Sequence, residues 1–180
     1  AAWSSCCGSR GAYPAWAGER FEELNVPQRR ALLAAQHVLY QTEFAKLSAD
    51  RYLGEARGTW EVLPNEVDVA AFLPPVTPPD GDPVIVLGGD QYQAYKLELG
   101  LGALAVLRRS VPGARLVVTG RLALPIEPLL DELGLVGCVE VVGRYAQRDL
   151  QAILHRAHAY LHPKVNDPCP SAVIEAMEAM

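Results

Sequence analysis

The residues best equipped for chemistry lie near the end of the chain, in Lys164-Val165-Asn166-Asp167-Pro168-Cys169-Pro170-Ser171-Ala172-Val173-Ile174-Glu175-Ala176-Met177. A polar, proline-stiffened loop here runs into a helix start. The free N–H groups and positive dipole of a helix N-terminus suit an anionic ligand such as a phosphate. Asp167 falls in the loop and Glu175 roughly one turn inside the helix, eight positions on. Two carboxylates flanking a helix start can reach different parts of one ligand, and they are natural acceptors for sugar or ribose hydroxyls. The same spacing also fits an Asp167 that caps a turn and a Glu175 that is merely solvated.

The elements that must position this segment are legible as a pattern. Val84-Ile85-Val86-Leu87, Arg115-Leu116-Val117-Val118-Thr119 and Val139-Glu140-Val141-Val142 each end in glycine. Helical stretches of about 95–109, 126–133 and 148–157 alternate with them, followed by a short strand at 159–161 and a helix at 171–180. Continuous apolar strands alternating with helices imply a parallel sheet covered on both faces, a Rossmann-like, doubly wound α/β fold. Ligands of such sheets bind at the carboxyl ends of the strands, which places the glycine turns and the loop from His162 to Ser171 on the expected ligand edge. Four strands are few for a finished domain of this kind, so the sheet reads as incomplete.

Upstream the pattern is looser. Residues 1–18 read as loop, with Tyr13-Pro14-Ala15-Trp16 a bulky island that either lines a cleft or packs. A helical pattern over 19–35 is interrupted by Pro27, predicting two short helices or one kinked helix. A strand is expected at 37–41, then a helix from the N-cap Thr42 to about Tyr52, closed by Gly54, and a strand at 59–63. Six of the 14 prolines fall between Pro64 and Pro83, which reads as an interdomain linker. The expected organisation is therefore 1–63 as the end of one domain, 64–83 as linker and 84–180 as a truncated second domain.

Composition narrows the function classes. The 180 residues are 50% hydrophobic and 21% charged, with a net charge of −5, an ordinary globular balance. No Lys/Arg run exceeds two residues, which argues against a nucleic-acid surface. No stretch approaches the roughly 18 apolar residues of a membrane span. The four cysteines, Cys6, Cys7, Cys138 and Cys169, form no C-x-x-C pair, so reduced thiols in a cytoplasmic protein are the plain expectation. His155 and His158 lack a third ligand and read as surface residues. Cys169, between two prolines with only Asp167 nearby, has no base to activate it and reads as loop packing. The turn Gly88-Gly89-Asp90-Gln91-Tyr92 lacks G-x-G-x-x-G and puts an acid where a dinucleotide's pyrophosphate would lie, which argues against an NAD enzyme.

The segment from Asp167, across seven residues, to Glu175-Ala176-Met177 resembles the donor-site motif of the retaining, nucleotide-sugar-dependent glycosyltransferases of GT-B fold, the glycosyl transferases group one class. Leu116 to Gly120, Val139 to Gly143 and Asp149 to Pro163 resemble that family in register, as do Tyr40-Gln41-Thr42-Glu43-Phe44 and Leu63-Pro64-Asn65-Glu66-Val67-Asp68 before the linker. The resemblance spans about 36–180. It implies the donor-binding C-terminal domain of a GT-B enzyme, preceded by the tail of the N-terminal, acceptor-side domain. It implies Asp167 and Glu175 as the catalytic-site carboxylates, Glu175 on the ribose hydroxyls and Asp167 on those of the transferred sugar. Backbone N–H groups near Pro170, Ser171 and Ala172 would face the sugar or pyrophosphate, Lys96 would neutralise the pyrophosphate, and Arg144 and Tyr145 would lie at the base. His162, beside the loop, would touch the donor.

The resemblance has departures. Asp167 stands where the family usually has Glu, Gln91 where it usually has Arg, and Leu97 where a Gly usually follows the Lys. The reaction implied is transfer of a sugar from a nucleotide diphosphate sugar to the hydroxyl of a glycan, lipid or small molecule, with retention, no metal and no cofactor, and poor activity for this stretch by itself. The alternatives are a non-catalytic nucleotide- or phosphate-binding module and a nucleotide-sugar epimerase of GT-B shape.

Overall fold

The computed structural model describes residues 15–122, 124–164 and 167–180, with side chains from residue 22 onward. Cys6, Cys7, Tyr13, Pro14 and the Trp16 side chain lie outside the described residues. The chain divides into two compact units, Ala1–Glu66 with Val165–Pro170, and Val67–Lys164 with Ser171–Met180.

In the first unit, helix α1 (Ala15–Ala34) is followed by strand β1 (His37–Tyr40), helix α2 (Glu43–Tyr52) and strand β2 (Thr59–Val62). The helix begins earlier than the glycine- and alanine-rich sequence suggests, within the stretch expected to be loop. It runs through Pro27 as a single element, forgoing one backbone hydrogen bond there. Thr42 caps α2 as its sequence predicts, its hydroxyl accepting from Ala45 N at 3.1 Å. At the other end Arg29 of α1 donates to the carbonyls of Tyr52 (2.9 Å) and Leu53 (3.0 Å), satisfying orphan carbonyls of the last turn. β1 and β2 pair in parallel, and Leu32, Tyr40, Ala49 and Leu53 form the core beneath them.

The second unit holds β3 (Val84–Leu87), α3 (Ala94–Leu107), β4 (Arg115–Thr119), α4 (Glu127–Leu133), β5 (Val139–Gly143), α5 (Gln147–Leu154), β6 (Ala159–Leu161) and α6 (Ser171–Ala179). The four strands form one parallel sheet in the order β5-β4-β3-β6. Alternate residues of each strand face opposite layers. Leu87, Leu116 and Val118 pack with Leu97, Leu101 and Leu104 of α3 and with Ile126 and Leu135. Val86 and Val117 pack on the other face with Leu150, Ile153 and Leu154 of α5 and with Ala176 of α6. This two-faced burial is why the strands read as unbroken apolar runs.

In the proline-rich stretch Val67 and Phe72 pack against the core, while Val69, Leu73 and Val76 are exposed. Phe72 is 3% exposed in the α5–α6 layer, and the Leu73 carbonyl accepts from His155 Nε2 (2.7 Å) and Gln151 Nε2 (3.3 Å). His158 Nδ1 accepts from Val84 N at 3.1 Å. Both histidines hold backbone in place.

Candidate functional site

Three strands of the second unit end side by side, each turning through a glycine of positive φ, at Gly89, Gly120 and Gly143. A cleft of about 330 Å³ opens there, lined by Gly89, Asp90, Gly120, Arg144, Tyr145, Gln147, Leu150 and Glu175. It lies at the carboxyl edge of the sheet, where parallel α/β folds place ligands.

Thr119, fully buried at the end of β4, knits the three strand ends together. Its hydroxyl accepts from Gly89 N at 3.1 Å, donates to Leu87 O at 3.4 Å and hydrogen-bonds the Tyr145 side chain. Burial pushes the Tyr145 phenol up from its ordinary range; the Thr119 hydrogen bond opposes this, and the charges of Glu175 and Asp90 add to it. Burial thus favours the neutral phenol of Tyr145 in the cleft wall.

Glu175 is the fifth residue of α6 and 9% exposed. Gln147, at the start of α5, donates from Nε2 to its Oε1 at 3.1 Å. A carboxylate this buried needs such a donor, because unpaired it would carry its full desolvation cost. The result is an oriented acceptor in the cleft wall, suited to hydroxyl groups.

Asp90 is the second carboxylate of the lining. Its Oδ1 accepts from Arg121 N at 2.7 Å and its Oδ2 from the Arg121 guanidinium at 3.3 Å. That backbone N–H, ahead of the Tyr92 hydroxyl and the Arg121 charge, holds the Asp90 carboxyl below its ordinary range. The exposed Arg144 supplies positive charge beside it. Among the described residues no Ser, Cys or His belongs to the lining.

Glu175, Arg144 and Tyr145 therefore converge, as their sequence positions suggest. Lys96 does not join them: it sits in the first turn of α3, and its ammonium donates to the Asp90 carbonyl. Gln91, in the position that resembles an arginine site, is 1% exposed and braces the turn, donating to Gly88 O (3.2 Å) and Gly89 O (2.6 Å). His162 stacks on Tyr160 at 6.5 Å and lines a separate cavity with Val173, Ala176, Met177 and Met180. Asp167 and Pro170 belong to the loop ahead of α6, and Ser171 and Ala172 open that helix; all four are half-buried. Gln147 and Asp90 were missed as lining residues. The one signal for Gln147 was its place just after a strand-terminal glycine, two residues beyond Tyr145. Among the described residues no group of three or more His, Cys, Asp or Glu could hold a metal ion, and no helix is long and apolar enough to cross a membrane.

The fold and cleft define a parallel α/β class with a ligand-sized cleft at the carboxyl edge of its sheet, and comparison with known proteins narrows it. Residues 71–180 match the model of glycosyl transferases group 1, and the chain belongs to that family. No curated protein matches it in sequence. Among solved structures it is similar to sucrose-phosphate synthase from Thermosynechococcus elongatus, at 19% identity and a TM-score of 0.74 over 93% of this chain and 45% of that one. It is similar to HepE from Anabaena, solved with UDP-glucose, at 17% identity and a TM-score of 0.67 over 95% of this chain and 48% of that one. TarM from S. aureus, in a complex containing UDP, aligns at 12% identity with a TM-score of 0.69 over 87% of this chain and 31% of that one. These likenesses show the fold, a GT-B C-terminal domain with its Rossmann-like sheet. The chain spans less than half the length of each.

Proposed function

We propose that this chain carries the donor site of a glycosyltransferase that moves a sugar from a nucleotide diphosphate sugar to an acceptor hydroxyl. The observation that carries the reading is Glu175: a buried carboxylate, oriented by Gln147, in a cleft at the carboxyl ends of β3, β4 and β5. Glu175 holds the ribose hydroxyls, with Arg144 and Tyr145 beside the base. Asp167 holds hydroxyls of the transferred sugar, and the N–H groups of Ser171 and Ala172 meet the sugar or diphosphate. HepE and TarM, solved with UDP-glucose and UDP, support a nucleotide donor of this class.

Transfer proceeds with retention and without a metal or cofactor, the protein's own donors stabilising charge on the departing diphosphate. Lys96 contributes once its ammonium leaves the Asp90 carbonyl. His162 reaches the donor from the β6–α6 side. A cytoplasmic setting, in which Cys138 and Cys169 are free thiols, belongs to the same reading.

A second reading, a nucleotide-binding module without transfer, is favoured by the buried Gln91, which presents no cation to the cleft. Calorimetry with UDP-, GDP- and ADP-sugars, without added metal, tests the donor site. Saturable binding of one nucleotide class by the wild type, lost in Glu175→Ala, is expected; a folded protein that binds none of them overturns the reading. Release of free nucleotide from the bound donor, with and without candidate acceptors, then separates transferase from module.

A further inference from the structure

The small parallel sheet of the first unit grips one of the chain's own loops. Gln41 directly follows β1, and Asn65 follows β2 by three residues, so both stand at the carboxyl edge of that sheet. Gln41 Nε2 donates to Asn65 Oδ1 at 2.8 Å. Asn65 Nδ2 donates to the Cys169 carbonyl at 2.7 Å, and Asn65 N donates to Cys169 Sγ at 3.4 Å. These bonds join residues 104 positions apart.

The loop is poor in backbone donors. Pro168 and Pro170 have no N–H, so Cys169 carries the one backbone donor of the tripeptide. Cys169 is nevertheless buried, and Ser171, two residues on, opens α6. An asparagine is the side chain this place requires. Its amide gives a donor to the loop and an acceptor to Gln41 at once, while an aspartate keeps only the acceptor and sets a negative oxygen against the Cys169 carbonyl.

From this arrangement we infer that Asn65, braced by Gln41, is a positioning residue for the Asp167–Pro170 loop, so that contact with the sugar portion of the donor depends on an amide at the end of β2. The inference rests on the donor reading given above. It separates two parts of the ligand: nucleotide contacts gather around Glu175, whereas sugar contacts come from the loop that Asn65 anchors.

The test compares Asn65→Asp, Gln41→Ala, the double variant and Cys169→Ala in the intact protein. Each is titrated with a free nucleoside diphosphate and with the matching nucleotide sugar, and its melting is followed. For Asn65→Asp, nucleotide affinity is expected to stay within about twofold of wild type, while the added affinity from the sugar falls about tenfold, the worth of one lost hydrogen bond and a new repulsion. The effect of Gln41→Ala should shrink in the Asn65→Asp background. Cys169→Ala keeps the carbonyl bond and loses only the longer Sγ contact, so its sugar affinity should fall by less than that of Asn65→Asp. Equal losses for nucleotide and nucleotide sugar, or no loss for either, overturn the positioning role. A wild type that binds neither ligand removes the donor reading itself, and the inference with it.

Discussion

Gln147 donates to Glu175 across 3.1 Å, tying the first turn of α5 to the fifth residue of α6 and fixing one carboxylate oxygen in the wall of the cleft. The bond is charge-assisted, but Gln147 is solvent-exposed, so its net worth is at the low end of the range for such bonds, about 1 kcal/mol. Gln147→Ala should therefore weaken nucleotide binding about fivefold. Gln147→Glu should weaken it further, by setting a second negative charge against the first, and should recover part of the loss as pH falls toward 5. Calorimetry at pH 7 and pH 5 checks both. Equal binding by wild type and Gln147→Ala would show that Glu175 needs no orienting partner.

Asp90 places a second negative charge in the same cleft, paired with Arg121 through its backbone and side chain. Asp90→Asn should tighten binding of a nucleoside diphosphate several-fold at low salt, with the gain fading toward 0.5 M salt as the charge is screened. The same variant has a stability signature. The Asp90 carboxyl is held below its ordinary 3.8, chiefly by the Arg121 N–H, so its contribution is present above pH 3.8 and is lost as pH falls further. The group is partly exposed, so the effect is about 0.5 kcal/mol or less. Urea midpoints of wild type and Asp90→Asn should differ at pH 7, and the difference should shrink as pH falls below 3.8.

The second unit was largely legible because its strands are buried on both faces. Val84–Leu87, Arg115–Thr119 and Ala159–Leu161 lie where their unbroken apolar runs put them, since both layers demand apolar side chains. The start of α1 was not legible, because Gly18 and Pro27 break the helical pattern, whereas the element is held further along by Leu32 in the core and by the Arg29 hydrogen bonds. Glu175, Arg144 and Tyr145 could be found by motif and by position after a strand. Gln147 could not, because its partner is 28 residues away and an amide at a helix start is otherwise ordinary. Asn65 and Cys169, 104 residues apart, could be paired only once the chain was folded. Lys96 falls in the first turn of α3, and the bond from its ammonium to the Asp90 carbonyl could be read only from the folded chain.

Tyr145 and Thr119 yield an alkaline test. Burial raises the Tyr145 phenol above its ordinary 10.0, so the folded state keeps its proton longer than the unfolded state does. That contribution is complete below pH 10 and is lost as pH climbs through the raised value. Tyr145→Phe should lower stability at pH 7 by about 1 kcal/mol through the lost Thr119 hydrogen bond. It should also flatten the decline of stability between pH 10 and pH 11. Urea unfolding at pH 7, 10 and 11 reads both effects, and identical slopes for the two proteins would mean that the phenol is not desolvated.

Gly120 is where the cleft depends most directly on backbone. Its φ is +79°, its N–H donates to Gly143 O at 2.7 Å, and a Cβ there would stand 2.5 Å from Gly89 O and 2.7 Å from Gly89 C. The obstacle is backbone on both counts, so no side chain can swing aside. Gly120→Ala must combine left-handed strain with displacement of the Gly89–Asp90 turn, a loss of about 2–4 kcal/mol. Gly102, inside α3, offers the contrast: a Cβ there meets nothing within 4 Å, and its φ lies outside the left-handed range. Gly102→Ala should stabilise by about 0.5–1 kcal/mol through helix propensity and should leave nucleotide binding unchanged. Melting temperature and calorimetric binding, measured on both variants, should therefore move in opposite directions for stability and be lost only in Gly120→Ala for binding. Full nucleotide affinity in a folded Gly120→Ala protein would show that the ligand does not sit at the ends of β3 and β4.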